Sequence, residues 1–170
     1  MRGQQGITII ELMISLVIVA LVLIITIPAF TDYIRNNQIR SLADEFQASL
    51  QQAKNEAIKR NARVNLVLAD TGWTIDIPAS SNEPTTRILE RAAESSQTKL
   101  AINASSNSIG FNSQGRLIDG GVYMADINSQ NSADCMNQGG KARCLRITIS
   151  TAGQIKLCDP NLASADPRSC

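Results

Sequence analysis

The sequence predicts an α+β protein: a long N-terminal helix, its first half transmembrane, packed on an antiparallel β-sheet domain. Two observations carry this. Leu12 to Phe30 is a run of 19 residues without a charged side chain, and beyond Asn61 the apolar period changes from 3.6 to 2. A third observation bears on the other end. All four cysteines lie after residue 134, which marks a loop-rich segment closed by covalent links.

At a rise of about 1.5 Å per residue the uncharged run is ~28 Å long, close to the ~30 Å of a hydrocarbon core. A cleaved secretory signal would have a shorter apolar core of roughly 7–15 residues and no acid at its start. A buried core helix would show a polar face, and none is present before Thr31. Arg2 precedes the run while Arg35 and Arg40 follow it, so charge alone does not orient it. Glu11, just before the run, is the exception to its chemistry. A carboxylate in a spanning helix costs on the order of 2.5–3.5 kcal/mol at the centre and less towards the end. Glu11 either lies shallow enough to reach headgroups and water, or meets a positive partner within an assembly. Pro28 should kink or weaken the helix.

Past it, Ile39, Leu42, Phe46, Leu50, Ala53 and Ala57 recur at helical spacing, a stripe that packs a sheet. Glu56 can pair with Arg60, and Asn61 is a fitting helix end.

MRGQQG followed by ITIIELM resembles the leader and processing site of type IV prepilins and type II secretion pseudopilins. The resemblance implies cleavage between Gly6 and Ile7 by prepilin peptidase at the inner membrane, and N-methylation of Ile7. Many relatives have Phe there. Glu11 becomes the fifth residue of the mature chain, the place of a glutamate that in the family attracts the N-terminal amine of a neighbouring subunit. SLADEFQASLQQAKNEAIKRNARVNL and FNSQGRL are similar to the GspH/FimT family of minor pilins and pseudopilins. The organisation expected is a cleaved leader over 1–6, a transmembrane helix over 7–30, an amphipathic continuation over 31–61, and a β-rich periplasmic domain over 62–170. The partners implied are prepilin peptidase, other pilins or pseudopilins, and the inner membrane. The function implied is to initiate or cap a type IV pilus, with a type II secretion pseudopilin, protein H, as the alternative.

In the second half, Val64, Leu66 and Leu68 alternate, Asp70-Thr71-Gly72 offers a turn, and Trp73, Ile75 and Ile77 alternate again. Further strands are expected at 87–91, 99–103, 108–112, 116–118 and 122–127, with polar loops at 78–86 and 128–140. RCLRITIS-TAG-QIKLC reads as a hairpin with a three-residue loop, Gly153 taking the left-handed position. That register sets Ile149 opposite Ile155 and Ile147 opposite Leu157. Cys144 and Cys158 are then diagonal, about 7–8 Å apart and too far for an unstrained bridge. The expected pairs are Cys135–Cys144 and Cys158–Cys170, in an oxidising compartment. Zinc ligation would want closely paired thiolates, and no CxxC occurs.

The chain carries 16 Lys+Arg against 15 Asp+Glu, so overall charge names no partner. Between Cys135 and Cys158, however, stand Lys141, Arg143, Arg146 and Lys156 with no acid. This basic patch is either a solvated face, a face paired with acidic neighbours in a filament, or a DNA contact. Some FimT-type members serve DNA uptake through a basic C-terminal GRxR-like motif, and Gly140-Lys141-Ala142-Arg143 is similar, with Lys for the first Arg. The resemblance thus extends to double-stranded DNA through those four cations, by salt-dependent phosphate contacts. Aromatic stacking platforms near the patch are missing. With no histidine, no Gly-rich phosphate loop and no Gly-x-Ser-x-Gly, an enzyme is not expected; nor is any metal or cofactor.

Overall fold

The computed structural model describes residues 8–79, 84–92, 100–129 and 135–170, with the side chains of 24–29 and 137 outside that description. The chain divides into two compact units, residues 1–35 and 36–170. Helix α1 (Ile9–Arg60) begins in the first and ends in the second.

Between Leu12 and Leu23 every helix residue but Ser15 is apolar. Ile9 and Ile10, and then the apolar side chains from Leu12 to Leu23, are all exposed, so no face is kept for a soluble core. Among the described residues no helix is long and apolar enough to cross a membrane. The uncharged run of the sequence continues to Phe30 through residues 24–29, whose side chains are not described.

In the second unit α1 becomes one-sided. Ile39, Leu42, Ala43, Phe46, Leu50, Ala53 and Ala57 are buried in a single stripe, the positions the 3.6 period selects. Arg40–Asp44 and Arg60–Glu56 ion pairs, at 2.9 Å and 2.6 Å, sit elsewhere on the helix. The helix stops at Asn61, which takes φ 49°. The N–H of Asn61 donates to the Ile58 carbonyl at 3.2 Å and that of Ala62 to the Ala57 carbonyl at 3.1 Å. This is a Schellman closure, and it satisfies carbonyls that the helix end would leave unpaired.

Among the described residues eight strands follow: β1 (Val64–Ala69), β2 (Gly72–Ile77), β3 (Thr86–Arg91), β4 (Leu100–Ala104), β5 (Ser108–Phe111), β6 (Tyr123–Ser129), β7 (Leu145–Ile149) and β8 (Ile155–Cys158). They form two antiparallel sheets rather than one, ordered β3-β2-β1-β5 and β4-β6-β7-β8. The reason lies at residues 105–107. Such a short link reads as a hairpin, yet β4 pairs with β6 and β5 with β1. The Asn107 carbonyl accepts from the Leu68 N–H at 2.7 Å and the Met124 carbonyl from the Ser105 N–H at 2.8 Å, so the corner feeds one strand to each sheet. Both sheets share one core with the α1 stripe. At its centre Phe46 meets Trp73 with ring centroids 5.1 Å apart.

Other boundaries shift. Residues 116–118 make only a single bridge, Phe111↔Leu117, because the Asn112 carboxamide accepts from the N–H groups of Gln114 and Arg116 and ties the segment into a turn. Asn128 and Ser129, expected in a loop, extend β6. Part of each polar loop, 80–83 and 130–134, lies outside the described residues, as does Lys99. The Asp70-Thr71 turn is a two-residue connection between paired Ala69 and Gly72, with Asp70 at φ 56°.

Candidate functional site

Two regions carry the residues that sequence reasoning selects. The first is the N-terminus. Gly6 and Ile7 lie outside the described residues. Glu11 is exposed in the first turn of α1, and its N–H donates to Thr8 Oγ1 at 3.4 Å. Thr8 therefore stands at the helix N-cap with Glu11 three residues on. Thr-x-x-Glu is a capping-box signature, formed here by the bond from the Glu11 N–H to Thr8, and it was legible in the sequence and missed there. Glu11 thus has a local electrostatic reason for its place, at the positive end of the helix dipole, besides any intermolecular one.

The second region is the disulfide-bearing end. β7 and β8 pair in the register that opposes Ile149 to Ile155 and Ile147 to Leu157. Residues 151–153 form the loop, with Gly153 at φ 76° and the Ser150 N–H donating to the Gln154 carbonyl at 3.0 Å. Two disulfides join Cys135 to Cys144 and Cys158 to Cys170, with Cα atoms 5.5 Å and 5.0 Å apart. All four sulfurs are thereby withdrawn from metal ligation.

The structure does not gather the four cations into one bare patch. Arg146 lies directly opposite Asp126 across β6 and β7, and its guanidinium donates twice to that carboxylate, at 2.6 Å and 2.9 Å. The hydrogen-bonded carboxylate holds the arginine's pKa above its ordinary value. Arg143 donates to Asp159 at 2.6 Å, a carboxylate only 4% exposed, while its backbone N–H donates to Asn36 of α1 at 2.8 Å. Lys156 donates to the Ser169 carbonyl at 2.9 Å. Among the described residues neither Lys141 nor Lys156 has a carboxylate partner. The acids were invisible in the local stretch because Asp126 arrives from a neighbouring strand and Asp159 from just past Cys158.

Two of the four, Arg143 and Lys156, line a groove of about 440 Å³ beside β8. Arg40 and Gln47 of α1 face them, and Arg168 comes from the C-terminal tail. The apolar lining is Leu145, Ile155 and Leu157; buried or half-buried, it forms most of the floor, together with buried Cys158 and Asp159. The arginines form a rim, their side chains 62%, 48% and 68% exposed for Arg40, Arg143 and Arg168. Arg168 pairs with Asp166 at 2.9 Å, and that arginine holds the Asp166 carboxyl down at about 2. Asp159 is the one acid among the residues lining the groove.

A family model described as Type II transport protein GspH matches residues 42–153. The chain belongs to the GspH family. A second model, the prokaryotic N-terminal methylation motif, matches residues 1–27 of this GspH-family chain and so includes Gly6, Ile7 and Glu11. No curated protein matches it in sequence. Among solved structures, the type IV minor pilin FimU of Pseudomonas aeruginosa (strain PAO1) is 21% identical with a TM-score of 0.59, over 79% of this chain and 96% of that one. A second crystal form of FimU gives a TM-score of 0.56. The minor pseudopilin EpsH from the Type 2 Secretion System of Vibrio cholerae is 12% identical with a TM-score of 0.51, over 71% of this chain and 95% of that one. The GspH-family chain thus shares an α+β, pilin-like fold with both.

Proposed function

We propose that this chain is a minor pilin, a non-catalytic subunit that initiates or caps a type IV pilus. Residues 7–30 anchor it in the inner membrane and the domain faces the periplasm. The observation that carries the reading is the joining of two matches in one chain, an N-terminal methylation motif and a GspH domain. Prepilin peptidase removes residues 1–6, Ile7 is methylated, and the span holds the subunit until Glu11 and the freed amine select neighbours. Glycine at the cut suits a site where backbone must approach closely. Gly6→Leu is therefore expected to leave the leader attached. Mass spectrometry of the purified chain reads the outcome: loss of residues 1–6 and gain of a methyl group in the native protein, neither in the variant. A native chain that keeps its full mass would overturn the reading.

A type II secretion pseudopilin is the second reading, favoured by the family description itself. Disulfides and the basic hairpin incline the assignment to the pilus. A deletion that abolishes twitching while exoprotein secretion continues supports it; the reverse phenotype supports the pseudopilin.

Double-stranded DNA, for natural transformation, is the further partner that Lys141, Arg143, Arg146 and Lys156 could serve. The salt bridges of Arg143 and Arg146 weaken that role, since their charge is already met by aspartates. Lys141 and Lys156 keep their charge unopposed among the described residues.

A further inference from the structure

The groove beside β8 has a property that a simple basic patch lacks: one of its walls is an open sheet edge. β8 is the outer strand of β4-β6-β7-β8. Ser150 and Gln154 form a hydrogen-bonded pair at the start of the hairpin. The alternation of an antiparallel ladder then makes Thr148↔Lys156 and Arg146↔Cys158 the further hydrogen-bonded pairs. Ile155 and Leu157 fall between them, so their backbone N–H and C=O groups point away from β7. Among the described residues no hydrogen bond reaches those groups. The edge is bounded at both ends. The tail closes it at Asp159, whose N–H donates to the Arg168 carbonyl at 2.8 Å, and Lys54 holds the Gly153 carbonyl at 2.8 Å at the other.

We propose that this groove binds an extended acidic segment of a partner protein, which adds a strand to β8. Backbone groups of Ile155 and Leu157 would supply the pairing, as in strand addition at other exposed edges. The apolar floor would take alternate side chains, and the rim would take carboxylates. Charge decides the sign of the partner: four cations line the groove against one aspartate. One of those cations can be re-partnered at little cost, because Arg40–Asp44 is an exposed pair worth at most ~1 kcal/mol. Lys156 needs no re-partnering. Duplex DNA fits less well, since a concave apolar floor offers nothing to phosphates and the rim cations converge on a pocket rather than track a backbone. An unpartnered edge carrying a lysine is also a common guard against aggregation; the concave apolar floor under this one is what a guard does not require.

The test uses the full chain in uncharged detergent micelles and a fluorescein-labelled peptide of alternating glutamate and valine, read by fluorescence polarisation. The expected result is saturable binding, at least tenfold weaker for Lys156→Glu combined with Arg168→Glu, and absent for a peptide with lysine in place of glutamate. Intact disulfides by mass and an unchanged circular dichroism spectrum verify the variant's fold. A probe-side control needs no variant: N-methylating alternate amides along one edge of the peptide should abolish binding, and along the other should not. The inference is overturned if the native chain does not bind the glutamate peptide, or if charge reversal leaves its affinity unchanged. It is overturned equally if neither N-methylated peptide loses affinity, or if duplex DNA displaces the peptide with the same dependence on Lys156 and Arg168. None of these readings requires leader processing, so they fail or succeed apart from the pilin assignment.

Discussion

Gly153→Ala should destabilise the domain by about 2–5 kcal/mol, a sum of two terms. A residue with a Cβ at φ 76° bears a left-handed cost of roughly 1–2 kcal/mol. The new Cβ would also overlap the Gly115 carbonyl oxygen, and overpacking against backbone adds about 1–3 kcal/mol. Neither group can move aside easily. Gly115 is itself at φ 73°, with Lys54 and Ile58 of α1 crowding its own open side. Gly139→Ala is the matched control, for its φ is 87° with nothing within 4 Å of an added Cβ. It should lose only the backbone term. At roughly 2–4 °C per kcal/mol for a chain of this size, thermal unfolding followed by circular dichroism separates the two. Equal losses would show that the contact with Gly115 does not matter.

Phe46→Ala should cost about 3–5 kcal/mol, the range for removing a fully buried aromatic ring. Phe46 is 0% exposed and tilted at 59° to Trp73, a geometry that adds roughly 0.5–1.5 kcal/mol beyond burial. Trp73 is the single tryptophan, so its fluorescence reports on this contact directly. The Arg91 guanidinium also lies over the ring, 4.8 Å from its centroid, and donates to Glu45 of α1 and to the Thr71 carbonyl. The native emission should be blue-shifted, and the variant should unfold on the order of 10 °C lower. A variant that unfolds within a few degrees of the native chain would mean that the helix and the first sheet are held together elsewhere.

Much of this core was legible in the sequence because it is local. A helical stripe is a matter of spacing, and every residue picked out between Ile39 and Ala57 is buried. The β7–β8 register followed from a glycine at the third place of the loop and from the matching of Ile149 with Ile155 and Ile147 with Leu157. What the sequence conceals is non-local pairing. Nothing in residues 105–107 tells that the strands on either side part company, because the choice is made by β1 and β6, each with its own apolar face to fill. The same holds for the basic end: a charge count along the chain sees Arg146 among cations, while Asp126 faces it across the sheet. The Thr-x-x-Glu cap at Thr8 was local and could have been read.

The contact of Lys54 with the Gly153 carbonyl joins residues 99 apart in sequence. In a chain that emerges N-terminus first, α1 is complete long before the hairpin that Lys54 clasps exists. The β7–β8 pair can close quickly by itself, since only a short loop is formed. The clasp cannot; it must wait for nearly the whole domain and then shut over the Gly115 turn. The half-made chain can therefore pack α1 on β1 and β2 but lacks the part of the shared core that β7 and β8 supply.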